Sequence, residues 1–76
     1  MRHAGGNEGG LADLTARERQ VLELVCKGQT NTQIAATLGL STNTVRNHIA
    51  TLYSKIGVNR RSAAVIWGRE RGLLAY

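Results

Sequence analysis

Residues 30–57 read TNTQIAATLGLSTNTVRNHIATLYSKIG, and the spacing inside this stretch decides the fold. Ile34, Ala35 and Leu38 recur at helical spacing behind Thr30 or Asn31, either of which can cap a helix, and Gln33 stands where a capping-box partner of Thr30 would. Gly39 supplies a left-handed stop. Leu40 then leads to Ser41, a good N-cap for a further helix over about residues 42–56, and Gly57 ends that helix. A short helix, a tight connection containing glycine and a second amphipathic helix predict a helix-turn-helix arrangement. Many helical bundles contain a similar turn, so the faces of the helices must carry the rest.

Working back toward the N-terminus, Thr15 and Glu18 form a second capping box, with Leu14 in place to staple onto the first turn. Val21, Leu22 and Val25 continue at helical spacing and Gly28 stops them, which predicts a helix over residues 16–27. Residues 1–13, MRHAGGNEGGLAD, hold four of the nine glycines and little to bury. They read as a flexible leader or linker, which leaves residues 14–76 as the folded domain.

Composition narrows the class. A chain of 76 residues makes one small domain, which buries only about 60% of its unfolded surface. The apolar residues are mostly Leu, Ile, Val and Ala, with one Trp and no Phe, which suits an all-α core. There is no proline to interrupt a helix. No apolar run approaches the roughly 18 residues of a membrane span, and the N-terminus lacks a signal-peptide apolar region. A single cysteine, Cys26, cannot form an internal disulfide and reads as a small core residue in a reducing cytosol. His3 and His48 have no companions at metal-ligand spacing, so no metal or cofactor is expected. The net charge of +5 lies wholly in residues 40–76, where Arg46, Lys55, Arg60, Arg61, Arg69 and Arg71 face Glu70 alone. Either a polyanionic partner or a solvated basic surface accounts for that asymmetry.

The third helix separates the two. At about 100° per residue, Val45, Ile49, Leu52 and Ile56 form one narrow apolar stripe. Asn43, Arg46, Asn47, Ala50 and Ser54 form another on nearly the opposite side. Arg can donate two hydrogen bonds to guanine, Asn can pair with adenine, and Ala allows close approach and can touch a thymine methyl. No acidic residue occurs between Glu23 and Glu70, so nothing on this face repels phosphate. The expected partner is double-stranded DNA, with Asn43, Arg46, Asn47 and Ala50 at base edges in the major groove. Thr44 at the start of that helix, and Thr30, Asn31, Thr32 and Gln33 at the start of the one before it, fit phosphate contacts. Lys55, Arg60 and Arg61 sit where they could clamp a neighbouring phosphate. His48 lies between the stripes, placed equally well for half-buried packing or a phosphate bond, and Tyr53 reads as core edge.

The segments LTARERQVLELVCKGQTNTQIAATLGLS, TNTVRNHIATLYSKIGV and NRRSAAVIWGRERGL resemble the DNA-binding domain of the LuxR/FixJ/NarL group of bacterial transcription regulators over residues 14–74. The resemblance implies a four-helix bundle with the third helix in the major groove. It implies base contacts at Asn43, Arg46 and Asn47, and backbone contacts around Thr32, Thr44, Lys55 and Arg61. It also implies a fourth helix that can pair two copies. Three departures stand out. Asn43, Thr32 and Ala50 occupy positions that are often basic or polar in the family; Arg60 replaces the usual small polar cap of the fourth helix; and Ala63 replaces its acidic partner. That helix is therefore capped by Asn59 or begins after Ser62. Ala64, Val65 and Gly68 are its expected core face, with Ile66, Trp67, Arg69 and Glu70 outward as a candidate homodimer interface. Trp67 alternatively covers the edge of the core.

Region 4 of a bacterial sigma factor is the nearest rival, sharing the chemistry and adding an RNA polymerase contact. An adaptor or anti-activator, whose basic half meets an acidic protein, is a rival of another class. The chain shows no Cys–His, Ser–His–Asp or paired-carboxylate constellation, so an enzyme is not expected. The place implied is the bacterial cytoplasm, on the nucleoid and not at a membrane.

Overall fold

In the computed structural model, which describes residues 10–73, every α-helix but the last begins at a residue whose side chain accepts from an N–H of its first turn. Helix α1 spans Ala16–Cys26, α2 Asn31–Leu38, α3 Thr42–Ile56 and α4 Arg61–Glu70. Among the described residues there is no strand, so the all-α expectation stands. Residues 1–9 of the stretch read as a leader lie outside the described residues. Within the rest of that stretch, Leu11–Asp13 form a 3-10 turn, and Leu11 packs partly buried against the core.

Both capping boxes are closed. The Thr15 N–H donates to Glu18 Oε1 at 2.9 Å while the Glu18 N–H donates to Thr15 Oγ1 at 3.1 Å. At α2, Thr30 and not Asn31 is the cap, and it exchanges the same pair of bonds with Gln33 at 2.8 and 3.1 Å. Gly39 and Gly57 take left-handed φ values of 70° and 77° at the ends of α2 and α3, a region that penalises any residue with a Cβ.

The turn between α2 and α3 sets their apolar stripes against α1. Val21, Leu22, Val25, Ile34, Val45 and Leu52 are fully buried, and each such side chain contributes about 1.5–3 kcal/mol of transfer free energy. Helix α1 packs on both α3 and α4, and α2 packs mainly on α3. Among the described residues, this leaves one whole side of α3 without protein cover.

Helix α4 differs from expectation in two ways. Its N-cap position is Arg60, in an extended conformation and with no side-chain cap bond, so neither Asn59 nor a start after Ser62 describes it. Its inward face is Ala64, Trp67 and Gly68, with Val65 only half-buried. Trp67, expected either outward as a dimer residue or over the edge of the core, is 8% exposed and takes the second place. The Arg71 guanidinium lies 4.0 Å from the centre of its ring and donates to its carbonyl, a cation–π lid over the indole. The rotation of α4 is set by close approach at Gly68, where a Cβ would lie 2.6 Å from Cys26 Sγ. Cys26 is buried, and burial raises its thiol pKa, with the charge of Arg69 opposing and Glu23 adding to the rise. The thiol is a packing group here.

Candidate nucleic-acid interface

The uncovered side of α3 carries Asn43, Arg46, Asn47 and Ala50, all exposed, with Ser54 one turn further along. Their directions follow from the burial of Val45, Ile49, Leu52 and Ile56, which fixes the helix rotation. Thr51 is also exposed and, on helical geometry, borders the same face beside Asn47. Only its angular position on the helix marks Thr51 out among the many hydroxyl residues of this stretch. His48 and Tyr53 are half-buried at the two borders, and Tyr53 packs against the core.

Two helix N-termini flank this face. At α3, Ser41 Oγ accepts from the Thr44 N–H at 3.0 Å and donates to Thr44 Oγ1 at 2.8 Å. That arrangement leaves the Thr44 hydroxyl proton directed away from its cap, along with the free N–H groups of the first turn. At α2, the closed box engages Thr30 Oγ1 and Gln33 Oε1 as acceptors, so the Thr30 hydroxyl proton and the Gln33 amide protons remain as donors. Thr32 is exposed beside them. Each terminus therefore presents several donors and no carboxylate.

Cations divide into two groups. Among the described residues the ion pairs are Lys55–Glu18 and Arg71–Glu70, so Arg46 and Arg60, both exposed, have no acidic partner. Lys55 and Arg61, expected at phosphate, each bond to groups of the protein itself. Lys55 Nζ donates to Glu18 Oε1 at 2.8 Å and more weakly to the Asp13 carbonyl at 3.4 Å. Glu18 is 5% exposed: burial pushes its carboxyl pKa up, but Lys55 and the Thr15 donors outweigh burial and hold it below the ordinary value. Arg61 Nη1 donates to Asn31 Oδ1 at 3.0 Å, and Nη2 donates to the Gln29 carbonyl. Asn31 is half-buried, and its amide protons are left as donors for a ligand.

The candidate dimer residues are separated as well. Among the described residues Ile66, at 57% exposure, is the large apolar side chain left outside, and Arg69 and Glu70 are exposed near it. Trp67 lies on the inner side of the same helix.

The profile of the family described as "Bacterial regulatory proteins, luxR family" matches residues 12–67. The probable transcriptional regulatory protein SgaR of Hyphomicrobium methylovorum is 51% identical over 59 residues, which are 78% of this chain and 28% of that protein. The DNA-binding transcriptional activator DevR/DosR of Mycobacterium tuberculosis is 37% identical over 70 residues, covering 92% of this chain and 32% of the relative. For the spore germination protein GerE of Bacillus subtilis the match is 49% identical over 53 residues, 70% of this chain and 72% of GerE. The chain thus spans a third or less of the two longer regulators. Among solved structures, the response regulator ChrA of a heme-sensing two-component system superimposes with a TM-score of 0.75 at 38% identity, covering 87% of this chain and 33% of that one.

Proposed function

The chain belongs to the luxR family of bacterial regulatory proteins, and from that membership we propose that it binds double-stranded DNA sequence-specifically to regulate transcription. The observation that carries this reading is the uncovered face of α3: one unpaired arginine, two asparagines and an alanine, flanked by donors and free of carboxylates. In this reading α3 lies in the major groove. Arg46 takes a guanine, Asn43 and Asn47 take adenines, and Ala50 brings the helix close enough for all three. Thr44 and the first turn of α3, together with Thr30, Thr32 and Gln33 of α2, hold phosphates on either side, with Arg60 adding charge and His48 at the border.

The same reading makes the chain a binding module with no catalytic step, acting on the bacterial nucleoid. Among the described residues no helix is long and apolar enough to cross a membrane. Two copies pair through α4 around Ile66, placing their α3 helices about one turn of DNA apart on an inverted repeat. Lys55 and Arg61 are assigned to the protein's own framework, which leaves few phosphate-binding cations. Specific affinity then leans on α3 and on the second subunit.

Titrating the protein against duplex DNA across a salt series tests this reading. A DNA-binding domain loses affinity linearly in log–log form as salt rises. An adaptor for acidic proteins shows no duplex affinity at physiological salt, and that result would remove the proposal.

A further inference from the structure

Arg61 stands at the first position of α4, beside Arg60, where charge alone suggests a hand extended to DNA. Its guanidinium points the other way. One edge meets the side chain of Asn31, the first residue of α2, and Nη2 meets the carbonyl of Gln29 in the turn leaving α1. The residues joined are 30 and 32 positions apart, so the bridge closes a long loop in the chain and is not local helix chemistry. Its charge also reaches α3, where burial raises the pKa of the Tyr53 hydroxyl and the Arg61 cation opposes that rise. The turn after α1, the first residue of α2 and the first residue of α4 therefore meet at one guanidinium.

We propose that Arg61 is a positioning residue of the DNA-binding surface, fixing the entry of α2 through Asn31 and Gln29 rather than contacting phosphate itself. This inference rests on the DNA-binding reading above. Thr30, between the two residues that Arg61 holds, is the cap whose hydroxyl, with Gln33, forms the donor array at the start of α2. A guanidinium presents a rigid planar fork that meets two acceptors at once, and an ammonium reproduces the charge without that fork. Because the fork grows from α4, the proposed pairing helix, the starts of α2 and α4 move as one piece.

The test uses the full chain, with a fixed duplex recovered by the wild-type protein from random DNA, at a temperature where circular dichroism shows every variant folded. Wild type, Arg61→Met, Arg61→Lys, Asn31→Ala and the Arg61→Met/Asn31→Ala double variant are titrated across salt. For a positioning residue, Arg61→Met weakens binding roughly tenfold, the scale of one lost charged hydrogen bond, with the salt slope unchanged. Arg61→Lys fails to restore the affinity, and the double variant is no weaker than Arg61→Met alone. Amide exchange at residues 30–34 accelerates in Arg61→Met. A merely structural residue would lower the melting temperature and leave the affinity of the folded protein unchanged. Four results overturn the proposal: that unchanged affinity, a salt slope lower by about one, full rescue by lysine, or additive losses in the double variant. Wild-type protein that binds no duplex instead overturns the reading on which the proposal rests.

Discussion

Replacing Lys55 by Met isolates an interaction that neither helix pattern nor charge count discloses. The ammonium sits 2.8 Å from Glu18 Oε1; the side chains are 36% and 7% exposed, so the pair is half-wet on one side and dry on the other. A fully exposed pair contributes about 0–1 kcal/mol, whereas losing one partner of a fully buried pair costs about 3–5 kcal/mol. Here the abandoned carboxylate keeps the Thr15 N–H, so the expected loss is about 2 kcal/mol. For a domain of this size that lowers Tm by roughly 8–16 °C. Far-ultraviolet circular dichroism during heating measures it. The pH dependence supplies an independent check. Burial pushes the Glu18 carboxyl up, and Lys55 and Thr15 together bring it below the ordinary value. A carboxylate whose folded pKa is depressed contributes fully above its unfolded value of about 4.3, and its contribution disappears as pH falls through the folded value. The wild type therefore loses stability in that acid window, and Lys55→Met loses less there because much of the depression has gone. DNA affinity of the folded variant falls little, and its salt slope is unchanged. A variant that melts within a degree or two of wild type, or whose salt slope drops by about one, refutes the reasoning.

Gly68→Ala places a methyl 2.6 Å from the Cys26 sulfur and destabilises the domain by about 1–3 kcal/mol, while Gly68→Ala with Cys26→Ala recovers most of that in thermal melts. Arg60→Ser supplies the missing cap of α4 and raises stability by about 0.5–1 kcal/mol, yet lowers the salt slope of DNA binding by about one; the two effects have opposite signs. Ile66→Glu leaves monomer stability within about 0.5 kcal/mol but weakens binding to an inverted repeat far more than to a single half-site.

Helix limits were legible because they are written in local chemistry. The Thr15–Glu18 and Thr30–Gln33 boxes, and the glycines at 39 and 57, mark their own positions without reference to the rest of the chain. The exposed face of α3 was legible for a similar reason: four large apolar residues at strict spacing leave one rotation that buries them. Helix α4 offers less. With Arg60 in place of a capping residue, its start depends on tertiary bonds made by Arg61, and those partners lie thirty residues away. Its rotation was ambiguous because Ala64, Val65 and Gly68 make as plausible a stripe as Ala64, Trp67 and Gly68. The contact between Gly68 and the Cys26 sulfur resolves it. Lys55 and Arg61 show the limit of reading charge from sequence. A cation near a polyanion-binding face and a cation holding a buried framework look alike until the distant acceptor is located.

In the proposed complex α3 reads bases through Asn43, Arg46, Asn47 and Ala50. Selection from a random duplex pool, run in parallel with wild type and Arg46→Ala, tests this. Wild type should enrich a half-site in which a guanine is flanked by adenines. Arg46→Ala should lose preference at the guanine alone and weaken specific binding by about 1–3 kcal/mol. An identical motif from both proteins, or no motif from the wild type, would contradict it.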